Sequence, residues 1–103
     1  MEALQELIEP MARFEHALEI TGQDHLATDV RVSWLQVRRA VLALQDEPEM
    51  LPVAAAKTAR CAAAVDLYEL SPLADEDLAT QVFEGLRSLH ERLRGTRGSR
   101  WPA

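Results

Sequence analysis

Chemistry in this chain would have to start from few residues: one cysteine, three histidines and a surplus of carboxylates. A metal centre in a helical protein needs carboxylates and histidines converging from several helices, commonly with Glu three residues before His on an inward face. The residues three before His16, His25 and His90 are Arg13, Gly22 and Arg87, so that spacing is absent. His16 with Glu19, or His25 with Asp29, supplies half a site and no more. Nucleophilic catalysis would fall to Cys61 or to a serine with a histidine base, yet no elbow or glycine-rich turn presents either one. Cys61 instead lies on an alanine-rich stripe, where a cysteine behaves as a small hydrophobe. Glycines at 22, 85, 95 and 98 make neither GxGxxG nor GxxxxGK, so no phosphate loop is expected. The carboxylates fall at helix ends and on polar faces, where they are solvated. These residues predict a protein that is not an enzyme and holds no cofactor and no metal.

Binding chemistry is better supplied. The net charge is −6, but from Arg87 onward five arginines face a single glutamate, a balance of +4, while residues 1–86 hold six basic against sixteen acidic side chains, or −10. Two acidic clusters, Asp46-Glu47-Glu49 and Asp75-Glu76-Asp77, and the basic segment with Arg97, Arg100 and Trp101 are the candidate partner-binding residues. Arg92 and Arg94 have a simpler use, since cations near the C-terminus of a helix favour its dipole. The ring of Trp101 could stack on a base, but a body at −10 repels phosphates and no helix has a basic recognition face.

Four segments with helical periodicity must position these groups. The first, Glu2 to Ile20, places Leu4, Leu7, Met11, Phe14 and Leu18 on one stripe and stops at Gly22; Pro10 implies a kink or a start near Glu9. A second begins near Asp24 or Asp29, either of which could cap, and runs to Leu44 or Gln45. Its stripe is Val30, Trp34, Val37, Val41 and Leu44, widened by Leu35 and Leu42. Asp46-Glu47-Pro48-Glu49 ends it, because carboxylates oppose the dipole there and the proline disfavours helix before it. The third runs from Leu51 or Pro52 to Leu70, with one stripe of Leu51, Ala54, Thr58, Cys61, Val65 and Tyr68 and another of Ala56, Ala63, Leu67 and Leu70. So many small residues predict the most buried, central helix. After Ser71-Pro72 comes a fourth, led by Asp75-Glu76-Asp77, with Leu78, Val82, Leu86, Leu89 and Leu93 inward and a stop at Gly95.

Segments of similar length joined by short connections predict an all-α, antiparallel up-down bundle of about four helices over residues 1–95, followed by a basic tail, 96–103. The composition agrees: 48% hydrophobic and 5% aromatic, with nine Gly plus Pro in 103 residues, suits neither a β-sandwich nor a disordered chain. No apolar run approaches the ~18 residues of a membrane span. The acidic opening Met1-Glu2-Ala3-Leu4-Gln5-Glu6 is unlike a signal peptide, so a cytoplasmic protein is expected, with no membrane contact. The large apolar residues exceed what a four-helix monomer of this length must enclose, which predicts a homo-oligomer, a dimer first of all. The functional expectation is a small protein-interaction module that modulates another protein. Two alternatives are a nucleic-acid-associated regulator using the basic tail and an acidic inhibitor from a mobile element that occupies a basic nucleic-acid channel of its target. Removing residues 96–103 is expected to spare the fold while weakening association.

Overall fold

The computed structural model describes residues 2–68 and 76–94. They form α1 (Glu2–Ile20), α2 (Asp24–Ala43), α3 (Leu51–Tyr68) and α4 (Glu76–Arg94), with a 3-10 turn (Pro48–Met50) leading into α3. Each helix packs on two neighbours: α1 on α2 and α4, and α3 on α2 and α4, while the backbones of the diagonal pairs lie farther apart. The result is a four-helix bundle of square section. Its core is built from Leu7, Met11, Phe14 and Leu18 of α1, Val30, Trp34 and Val37 of α2, Ala54, Cys61 and Val65 of α3, and Val82, Leu86 and Leu89 of α4. Glu15 and Ile8 of α1 share a groove with Arg31 and Arg38 of α2, and Leu51 of α3 shares a hollow with Leu93 of α4. Early residues of one helix therefore meet late residues of the next, as in an antiparallel arrangement.

The helix ends follow from local chemistry. Gly22 has φ +77, a left-handed conformation that a residue with a Cβ adopts at a cost. Its N–H donates to the Glu19 carbonyl at 3.2 Å and the Gln23 N–H to the Leu18 carbonyl at 2.9 Å, the pair of bonds that closes a Schellman motif. Helix α2 starts directly afterwards. Neither Asp24 nor Asp29 caps it: Gln23 holds the cap position and makes no side-chain cap bond, and Asp24 lies in the first turn, where its charge suits the dipole. Helix α1 runs unbroken through Pro10, so a start near Glu9 is corrected. Proline there removes one donor, and the packing of residues on both sides of it holds the helix together.

Two expectations about α3 also need correction. Helix α3 does bury the largest share of its described residues of the four helices, but no helix is central in a square bundle. The second inward row is Ala55, Ala59 and Ala62, whereas Ala56, Ala63 and Leu67 are exposed. Small residues do bring α3 close to its neighbours, and the two buried hydroxyls at this seam are satisfied within their own helices. Thr58 Oγ1 donates to the Ala54 carbonyl at 2.8 Å and Ser33 Oγ to that of Val30 at 3.1 Å. Among the described residues no helix is long and apolar enough to cross a membrane.

Candidate partner-binding surface

Helices α1 and α2 approach each other less closely than α3 approaches α2 or α4. The reason is side-chain size. Trp34 occupies this seam, where α3 offers alanines, and large side chains hold helix axes farther apart. A surface groove of about 220 Å³ opens outside it, lined by Ile8, Ala12 and Glu15 of α1 and by Arg31, Trp34, Leu35 and Arg38 of α2. Trp34 is 5% exposed and Leu35 41%. One turn-pair farther along α2, on the same face, Leu42 is 59% exposed, and Ile8 opposite is 44% exposed. Leu35 and Leu42 were expected to widen the core stripe; the structure turns them outward instead.

Charges frame this apolar strip. Arg31 donates to the Glu19 carboxylate across the α1–α2 seam. Burial raises the Glu15 carboxyl above its ordinary value, opposed by Arg31, reinforced by Glu19 and opposed again by Arg38. The face thus carries two acids and two bases around aliphatic side chains, a pattern able to complement itself or a similar surface.

The sequence candidates fall into three groups. Asp46, Glu47 and Glu49 are exposed together on the α2–α3 connection. Glu76 and Asp77 begin α4 at the opposite end of the bundle, with Asp77 exposed. Asp75, Arg97, Arg100 and Trp101 lie outside the described residues. The structure therefore does not unite the two acidic clusters. What sequence reasoning missed is the groove itself: Ile8 is one position off the α1 stripe, and Leu35 is one position past Trp34. The signal was present in the surplus of aliphatics, but not its location.

Of the cysteine and the three histidines, Cys61 and His90 are enclosed while His16 and His25 are exposed. Cys61 is fully buried; desolvation pushes its thiol up to about 12, against a smaller opposing effect of its hydrogen bond with Ser33. His90 is 3% exposed, and burial, reinforced by Arg94, lowers its pKa. Among the described residues no three His, Cys, Asp or Glu side chains come together as metal ligands would. Comparison with protein-family models, with characterised proteins and with solved structures finds no match.

Proposed function

We propose that this chain is a small non-enzymatic protein-binding module that self-associates through the α1–α2 face and modulates another protein by contact. The observation that supports this reading is the exposure of Ile8, Leu35 and Leu42 around a formed groove. Apolar patches rimmed by polar groups are a feature of interaction surfaces. In a two-fold arrangement the same patch meets itself, so Glu15 of one copy can face Arg38 of the other while Leu35 enters the opposite groove. A standard interface takes about 800 Å² from each partner, so contact would extend along both helices from the groove to Leu42. The net charge of −6 weighs against nucleic acid as the first partner. The reading also takes the chain to work in the cytoplasm, where its lone thiol stays reduced.

Light scattering tests it. The chain should behave as a particle near twice 11.5 kDa, and Leu35→Glu should return it to one chain with unchanged helicity. A wild-type chain that stays at 11.5 kDa across micromolar concentrations removes the self-association. Affinity capture that recovers nucleic acid with steep salt dependence, and no protein, removes the whole reading.

A further inference from the structure

The end of the bundle at which α4 finishes carries an apolar hollow of about 320 Å³ whose described lining is Leu51, Pro52, Leu93 and Arg94. Leu93 is buried in it, while Leu51 is 40% exposed at its edge. Glu49, Glu47 and Asp46 precede Leu51 by two to five positions and are all exposed, so apolar and acidic surfaces adjoin. The residues after Arg94 read Gly95-Thr96-Arg97-Gly98-Ser99-Arg100-Trp101, two cations and then an indole. We propose that this segment docks in cis on the bundle end, with Trp101 in the hollow against Leu51 and Pro52 and with Arg97 and Arg100 over Asp46, Glu47 and Glu49.

Reach, charge and direction all favour this occupant. Arg94 itself lines the hollow, so the segment has only to reverse, and Gly95 and Gly98 supply backbone freedom for that. Seven residue steps lead from Arg94 to Trp101, a span of up to ~24 Å, ample for a return. The competing acidic cluster lies at the far end of α4. Asp77 is seventeen residues from Arg94 along α4, or ~26 Å of helix, which a nearly straight segment would have to cover before any turn. Exposed ion pairs alone hold a segment weakly, and the indole adds the apolar contact area they lack. Docked in this way, the arginines are neutralised by the chain's own carboxylates, and an acidic partner must displace them to bind the segment.

Fluorescence of Trp101 reads the contact, taken as the difference between the chain and its Trp101→Phe variant so that Trp34 cancels. All measurements are made in the Leu35→Glu background, so that assembly through the α1–α2 face does not enter. Trp101 should emit at shorter wavelength than a solvated indole and be shielded from acrylamide, independently of protein concentration. Leu51→Glu, at an exposed position, should abolish the shielding. Glu47→Lys with Glu49→Lys should raise the quenching constant about threefold, because each exposed pair contributes modestly. A fully quenchable Trp101 in the unsubstituted segment overturns the proposal. So does shielding that survives Leu51→Glu, and so does shielding that grows with concentration, which would assign the hollow to a second copy.

Discussion

At the scale of single residues, burial decides what the few reactive groups can do. Cys61 has no exposed surface and a thiol pushed up to about 12, so almost none of it is thiolate near neutrality. A thiol reagent should label it far more slowly in the native chain than in denaturant, at a rate set by opening of the α2–α3 seam. Labelling at the denatured rate under native conditions would put Cys61 on the surface. His90 and Glu15 are displaced in opposite directions, with opposite consequences for acid stability. His90 is lowered from 6.5, so the unfolded chain binds a proton first as acid is added. Its contribution is complete above 6.5 and is lost as pH falls through the folded value. Glu15 is raised from 4.5, so the folded chain holds its proton longer. That contribution is complete below 4.5 and is lost as pH rises through the folded value. Denaturant melts at about pH 7 and about pH 5 should therefore show a loss of stability on acidification that is smaller in His90→Gln. In Glu15→Gln the loss should be larger or unchanged; a smaller one would mean that Arg31 and Arg38 outweigh burial at that carboxyl.

Among the elements, α1 and α4 meet tightly at one glycine. A Cβ built on Gly85 would lie 2.5 Å from Leu7 Cδ2 and 3.2 Å from its Cγ, and Leu7 is 2% exposed with little room to yield. Alanine at position 85 gains about 1 kcal/mol of helix propensity but overpacks this contact at a cost of about 1–3 kcal/mol. Gly85→Ala should thus be neutral to destabilising in the native background and stabilising by about 1 kcal/mol once Leu7→Ala has made space. Equal effects in both backgrounds, measured by a double-mutant cycle in urea, would mean that the helices do not meet there. Gly22→Ala should cost about 1–2 kcal/mol, because it forces a Cβ into the left-handed turn between α1 and α2. The helices themselves were legible in the sequence, since Gly22, Pro48 and Ser71-Pro72 interrupt stripes of large apolar residues. Alanine explains where legibility failed. Around α3 almost every direction offers one, so the pattern could not say that Ala55, Ala59 and Ala62 turn inward while Ala56 and Ala63 do not. The position of the groove was hidden for a different reason: Leu35 and Leu42 flank the inward row of Val30, Trp34, Val37 and Val41, and only the packed α1–α2 seam leaves them outside it.

For the whole molecule, charge works against compaction more than it helps. The two ion pairs described, Arg31 with Glu19 and Arg87 with Glu91, are each about half exposed, where such pairs contribute little. The α2–α3 connection meanwhile gathers Asp46, Glu47 and Glu49, and by the antiparallel course of the chain the exposed Glu2 and Glu6 of α1 belong to the same end. Repulsion among these carboxylates and the surplus behind a net charge of −6 is felt in the folded chain and relieved on unfolding. Sodium chloride shortens the Debye length from about 10 Å at 0.1 M to about 3 Å at 1 M, and screening should relieve more repulsion than attraction. The midpoint of thermal unfolding, followed by circular dichroism, should rise between those salt concentrations. Glu2→Lys with Glu6→Lys should raise the low-salt midpoint and flatten the rise, because it removes carboxylates at this end that the docked arginines do not cover. A midpoint that falls with salt would mean that attractive contacts at this end, the docked arginines among them, outweigh the carboxylate repulsion.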